Sequence, residues 1–256
     1  MSLKMCCFAS GSKGNCCYVS DGQTDILIDL GISASHAEKC LSVLGVDPDG
    51  VKIFVTHAHS DHVAGLKVFC KRHKNARVFC QSECLYGVAE AIGFAPEVAE
   101  RDSFFGPLAV HALPVPHDVP CFGYAIECDG KSVAVVTDVG NVSDALREHL
   151  AGRDLVMIEA NHDPERLSLN RTYSAALKRR ISSAYGHLSN PDCAAVCSFL
   201  AVNGVRNFIL AHLSEDNNDP ELAVSAVAQS IASAGVSGAH ITAACQNKMT
   251  GLFEVC

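Results

Sequence analysis

The chain has 256 residues, 48% of them hydrophobic and 19% charged, with a formal net charge of −8. That length suits one large α/β domain or two small ones, the composition is globular, and no apolar run approaches the roughly 18 residues that a membrane span requires. The negative balance argues against wholesale, nonspecific affinity for nucleic acid but not against a local phosphate site, because bound divalent metals bring positive charge that a formal count omits.

The opening MSLKMCCFAS holds one lysine and no apolar core long enough for a secretory signal, so a cytoplasmic location is expected. The fourteen cysteines are then expected as reduced thiols acting as small buried hydrophobes. Cys6, Cys7, Cys16 and Cys17 sit in strand-like runs, while the pairs Cys80/Cys84 and Cys193/Cys197 lack a CxxC knuckle. None is expected to serve catalysis, and Cys121 is the one to watch because it stands between His117 and Gly123.

GNCCYVSDGQTDILIDLG (14–31) reads as two strands joined by a turn at Asp21 and Gly22. A helix (33–44), a strand (51–55), a helix (62–73), a strand (77–80) and a helix (82–92) follow. AVHALPVP is a strand, and CFGYAIEC with KSVAVVTD forms a strand pair split by Asp129 and Gly130. DALREHLAG is helical, LVMIEA a strand, SAALKRRISSA and NPDCAAVCSFLAVNG helices, RNFILAH a strand and PELAVSAVAQSIASAG a helix. This alternation, without a Pro/Gly/Ser linker, predicts a single layered domain over residues 1–256, with sheets inside and helices outside.

The densest chemistry is THAHSDH (56–62), three histidines and an aspartate in seven positions. Spacings of two and one exclude a single helical stripe, where side chains meet at three or four apart. The preceding VKIFV reads as a buried strand and the following VAGLKVFCKRH as helical, so the cluster fans out from a strand-to-helix loop into a cleft. Neutral imidazole with carboxylate is a ligand set for zinc, manganese, iron or nickel. His117, Asp138 and His212 each end or follow an apolar strand, and with His57, His59, Asp61 and His62 they make seven nitrogen and oxygen ligands, enough for two ions. Taken singly, Asp138 also reads as a helix cap and His212 as a core imidazole.

The H-x-H-x-D-H loop formed by His57, His59, Asp61 and His62 resembles the mark of the metallo-β-lactamase superfamily. The resemblance implies an α+β fold, a four-layer αββα sandwich with metals at the sheet edges. It further implies His57, His59 and His117 on one metal, Asp61, His62 and His212 on the other, and Asp138 bridging. HDVPCFGYAI, VMIEANHD and GHLSNPDCAAVCSFLAVNGVRNFILAHLS look like segments of transfer-RNA 3′-processing endonucleases, in which a glutamate orients a histidine that protonates the leaving oxygen. Those roles map to Glu159 and His187, which with Asp61 make the expected catalytic set. An imidazolium held by a carboxylate is a suitable general acid for an expelled alkoxide. The competing readings are an N-cap turn at HLSNP and a structural Glu159.

Over the whole chain, FASGSKGNCCYV, EANHD, GHLSN and AHLSEDNN resemble the YycJ/WalJ-like exonuclease group of that superfamily. This implies a metal-dependent deoxyribonuclease working from 5′ ends through a hydroxide at two divalent ions, Zn or Mn, with DNA favoured over RNA as substrate and no membrane partner. Asp138 and His187 lie too close in sequence for the inserted domain of the ribonuclease J class, and no Gly/Pro-rich protruding arm is evident. The superfamily spans many chemistries, so a thioester or lactone hydrolase and a non-catalytic metal-stabilised regulator stand as alternatives.

ASGSKGN (9–15) is either a phosphate cradle or a plain turn, which makes Ser12, Lys13 and Asn15 candidate substrate contacts. Lys178, Arg179 and Arg180 are either a solvated helix face or a track for a nucleic-acid backbone. Asn217, like Asn218, either orients a phosphate or ends a turn.

Overall fold

The computed structural model describes residues 2–255. Its strands are β1 (Leu3–Ala9), β2 (Cys16–Ser20), β3 (Asp25–Ile28), β4 (Lys52–Val55), β5 (Arg77–Cys80), β6 (Glu97–Val98), β7 (Asp102–Phe105), β8 (Leu108–Val115), β9 (Cys121–Cys128), β10 (Lys131–Val136), β11 (Leu155–Glu159), β12 (Asn207–Ala211), β13 (His240–Ala243) and β14 (Phe253–Val255). The α-helices are α1 (Ala34–Leu44), α2 (Ser60–Val63), α3 (Leu66–Arg72), α4 (Leu85–Ile92), α5 (Asp144–Leu150), α6 (Pro164–Leu169), α7 (Ala175–Ile181), α8 (Asn190–Val202) and α9 (Pro220–Ser233). One seven-stranded sheet runs β14-β1-β2-β3-β4-β5-β6 and another runs β13-β12-β11-β10-β9-β8-β7. Both mix parallel and antiparallel pairs, in keeping with the expected α+β class.

The chain falls into two compact units, residues 1–112 with 124–132 and 245–256, and residues 113–123 with 133–244. In the first, β3, β4 and β5 are parallel neighbours, with Ile28 opposite Phe54 and Val55 opposite Cys80. Their C-terminal ends therefore share one edge, where open parallel sheets commonly place ligands. Phe54 stacks on Phe79 at 5.0 Å and meets the edge of Tyr124, whose hydroxyl donates to Val55 O at 2.8 Å. In the second unit β10, β11, β12 and β13 are successive parallel neighbours, every residue of β11 is buried, and α8 packs on α9. Seryl N-caps start α1, α5, α7 and α8, and proline in the first turn starts α6, α8 and α9, because proline lacks the amide that a first turn leaves unpaired.

The expected helix over 62–73 is instead α2 and α3 with a turn at Ala64 and Gly65. The donor and the acceptor that would continue it are taken elsewhere: Gly65 N donates to Leu30 O (2.9 Å), and Asp61 O accepts from Asn15 N (2.8 Å). The same segment presses on Gly31, where a Cβ would lie 1.6 Å from Asp61 O. The first turn of the expected helix over 82–92 is a 3-10 turn, Ser82–Cys84. No disulfide links the described cysteines, most of which are buried, with Cys193 and Cys197 placing their sulfurs 3.8 Å apart on α8. Among the described residues no helix is long and apolar enough to cross a membrane.

Gly31→Ala is expected to destabilise the protein by about 3 kcal/mol, roughly 6–12 °C in Tm, because backbone rather than a flexible side chain must move. Gly50→Ala, where nothing lies within 4 Å of the added carbon, serves as the control and should change stability by less than about 0.5 kcal/mol. Equal melting temperatures for the two variants in a thermal scan would show that the approach of residues 61–65 to Gly31 is loose.

Candidate metal centre

In the first unit the histidine loop leaves the end of β4 as Thr56 and His57, and its last residues enter α2. Its anchor is Asp29, just past β3 and buried, with a left-handed backbone at φ 62°. Asp29 accepts Thr56 N (2.8 Å) and the Thr56 hydroxyl (2.9 Å), and its Oδ2 lies 2.7 Å from His62 Nδ1. Burial pushes the Asp29 carboxyl above the ordinary range, and the His62 imidazole with the Thr56 donors only partly offsets this. With its proton committed to Asp29, the Thr56 oxygen can accept from His57 Nδ1 at 2.9 Å. Both His57 and His62 thus hold their protons on Nδ1 and carry the lone pair on Nε2, the tautomer that a metal ligand needs. The rings of His59 and His62 lie 4.6 and 4.1 Å from that of His57, and Asp61 Oδ2 is 3.5 Å from His62 Nε2. His59 is the N-cap of α2 by position but makes no capping hydrogen bond with its side chain.

In the second unit Glu159 does the corresponding work. It ends β11, is fully buried, and accepts four hydrogen bonds: Oε1 from His187 Nδ1 (2.8 Å) and His212 Nδ1 (2.9 Å), Oε2 from Val139 N (2.8 Å) and Leu188 N (3.2 Å). Burial alone would raise its carboxyl, but the two imidazoles outweigh burial and hold it below the usual range. Burial likewise opposes charge on His187, yet the Glu159 carboxylate outweighs it and raises that imidazole above its ordinary value. Asp138 Oδ1 sits 3.6 Å from His212 Nε2 and 3.7 Å from His187 Nδ1. Asp138, Glu159, His187 and His212 each offer a donor atom within 4.8 Å of the others. Glu159 has its acceptor sites filled, which makes it the orienting group rather than a ligand. His117 points Nδ1 at Gly186 O (3.3 Å) and Nε2 at Asp118 Oδ1 (3.2 Å), and burial lowers its basicity, favouring the neutral ring.

The donor chemistry in both units fits a divalent ion: imidazoles and carboxylates, mostly buried, with no thiolate. The other predicted residues fall differently. Asn15 is buried and bonds inward, Nδ2 to Gly11 O (3.1 Å) and to His62 Nε2 (3.0 Å), so it braces the loop. Ser12 and Lys13 are exposed. Lys178 caps Ser168 O, Arg180 pairs with Asp118, and Arg179 is exposed. Asn217 is buried against Ser214 and Asn170, and Cys121 is buried at the start of β9.

Sequence reasoning missed Asp29 and Thr56, although Asp29 ends an apolar strand just as Asp138 does. It also missed Asn161 and Asn190, and read Asn218 as a phosphate contact or the end of a turn rather than as a tie between loops. Asn161 Nδ2 donates to His212 O (2.9 Å) and its amide to Leu188 O (2.8 Å), while Asn218 bridges Ala160 O (2.7 Å) and Asn190 (2.9 Å). EANHD, GHLSN and AHLSEDNN are therefore one hydrogen-bonded assembly. His162, buried beside it, was also overlooked, and its carbonyl accepts Asn190 N at 2.8 Å.

A family described as the beta-lactamase superfamily domain matches residues 24–213. Exodeoxyribonuclease YycJ of Bacillus anthracis is 34% identical over 239 residues, 90% of this chain and 89% of that protein. Exodeoxyribonuclease WalJ of Streptococcus pneumoniae serotype 2 is 32% identical over 245 residues, 91% and 90% of the two chains. Among solved structures, the metallo-beta-lactamase fold protein YhfI from Bacillus subtilis superposes with a TM-score of 0.71 at 14% identity, covering 100% of both chains. With the aspartate- and glutamate-anchored histidines in place on this fold, the chain belongs to the metallo-β-lactamase superfamily and to its YycJ/WalJ-like group.

Proposed function

We propose that the chain is a metal-dependent exodeoxyribonuclease that removes nucleotides from 5′ ends, holding two divalent ions, Zn or Mn, through His57, His59, His117, Asp61, His62, Asp138 and His212. The relatives named as exodeoxyribonucleases, matched over nine tenths of the chain, support the reaction class. The observation that carries the mechanism is the 2.8 Å contact between His187 Nδ1 and the buried Glu159. Divalent ions, when bound, supply Lewis acidity and an acidified water.

Phosphodiester cleavage expels a sugar alkoxide that must gain a proton. Glu159 holds the His187 ring by Nδ1, which leaves Nε2 as the proton donor toward the leaving oxygen, and Glu159 balances the charge of the imidazolium before transfer. The four hydrogen bonds on Glu159 keep this geometry fixed without substrate. Asp61 belongs to the catalytic set through its place in the histidine loop. Ser12, Lys13 and Arg179 are exposed and are the proposed contacts for the anionic strand.

His187→Ala should lower kcat on DNA by roughly 100-fold to 10,000-fold with metal content unchanged, the range typical of a lost general acid. Glu159→Gln should follow the same pattern more weakly. On a nitrophenyl phosphodiester, whose leaving oxygen needs no proton, both losses should shrink. Equal losses on the two substrates would leave His187 a positioning or structural group, and turnover of a thioester or lactone unaffected by His187→Ala would replace the nuclease reading.

Metal analysis should find two divalent ions per chain in fully metallated protein, and chelation should abolish cleavage, with Mn or Zn restoring it. His57→Ala should reduce the metal content. Finding fewer than two ions in active protein would remove the dinuclear assignment.

A further inference from the structure

Away from the histidine loop, the first unit has a cavity of about 560 Å³. Lys67, Lys71 and Lys74 line it with Phe94, Arg77 and Glu97. It sits by the start of β5, where Arg77 pairs with Lys52, the first residue of β4, whereas the histidine loop leaves the far end of β4. Its volume falls within the range of small-molecule sites.

The charges are unusual in where they stand. Arg77 is neutralised by Glu97, with Nε 2.7 Å from Oε1. Lys67, Lys71 and Lys74 form no ion pair or hydrogen bond with an acidic group among the described residues, in a chain of net charge −8. Lys71 lies in the last turn of α3, where the helix dipole welcomes a cation, but Lys67 lies in the first turn, where the dipole opposes one. Lys67 and Lys71 are also one turn apart, a like-charge spacing that works against the helix. Helix chemistry therefore does not account for the cluster, while an anion in the cavity does. Beside the lysines the wall is apolar, with Phe94 exposed and Pro96 buried. Three cations next to an exposed aromatic ring match a ligand with a phosphate at one end and a planar base at the other.

We propose that this cavity binds a nucleoside phosphate, its phosphate on Lys67, Lys71 and Lys74 and its base against Phe94. The site is independent of the reaction assigned to the histidines. Its ligand is either a free nucleotide or one nucleotide of a DNA strand, which offer the same chemistry.

Metal-loaded protein titrated with deoxyadenosine monophosphate and followed by backbone amide chemical shifts tests it directly. The amides of residues 66–77 and 93–97 should shift and saturate, separately from any response at residues 56–62. Lys71→Ala combined with Lys74→Ala should weaken that saturation at least tenfold with Tm preserved, and Phe94→Ala should reduce the affinity to that of inorganic phosphate. If the double variant misfolds, Lys67→Gln supplies the comparison, with at least a threefold loss expected. A short 5′-phosphorylated oligothymidylate weakened by the same substitutions assigns the ligand to a strand; sensitivity of the mononucleotide alone assigns it to a free nucleotide. Shifts confined to the histidine loop, or an affinity indifferent to the lysines, would overturn the proposal.

Discussion

A carboxylate without contact to water must fill its acceptor sites with donors or give up its charge, and Glu159 satisfies that requirement with two imidazoles and two backbone amides. Its neighbours are placed by the need to saturate it. Val139 follows Asp138 at the end of β10, Leu188 follows His187, and His212 follows β12, so one buried side chain sets three loops. Asp29 repeats the device in the other unit through Thr56 and His62. In both places the carboxylate accepts a hydrogen bond from an imidazole Nδ1–H and leaves Nε2 as the second ring nitrogen. The same anchoring is suited both to a ligand lone pair on a neutral ring and to a proton donor on a charged one, the two roles proposed for His62 and His187.

Bringing these groups to the strand ends strains the backbone. Of the four non-glycine residues with positive φ among the described residues, three are Asp29, Asp138 and His212, and the fourth, Asp129, lies in a turn beside Gly130. Such conformations are worth roughly 1–3 kcal/mol of strain apiece and persist only where the surroundings over-determine them. Here the surroundings are hydrogen bonds: Asp29 N to Phe54 O at 2.9 Å, and Asn161 Nδ2 to His212 O at 2.9 Å. Close backbone approach adds to this. Gly31 lies under Asp61, and Gly140 lies where a Cβ would come within 2.6 Å of Gly186 N, beside the His187 loop.

What was legible in the sequence was whatever announces itself locally. The histidine loop, Asp138 and His212 are polar groups at the ends of apolar runs, and most strands and longer helices carry their periodicity with them. Asp29 carries the same signal, but its meaning depends on β3 lying parallel to β4, a pairing across an intervening helix that no local pattern states. The break between α2 and α3 was hidden for a similar reason, because the groups that divert its hydrogen bonds lie at residues 15 and 30. β6, β7, β13 and β14 are short or half-exposed and take their existence from a neighbouring strand. ASGSKGN offered a cradle or a turn; its buried part, Gly14 and Asn15, grips residues 31, 61 and 62, and only Ser12 and Lys13 face outward.

The placement of positive charge follows from the same constraints. The basic run at 178–180 looked like the natural contact for an anion, yet Lys178 and Arg180 are engaged within their own unit. Each unit's candidate ligand set includes carboxylates, Asp61 in the first and Asp138 in the second, so an anion would meet like charge at either unless divalent ions reversed the local field. The lysines around the α3 cavity need no such reversal, since their charge is intrinsic to the chain. The two proposed anion sites would therefore respond to different variables: attraction at the histidines would depend on metal occupancy, and attraction at Lys67, Lys71 and Lys74 on ionic strength alone.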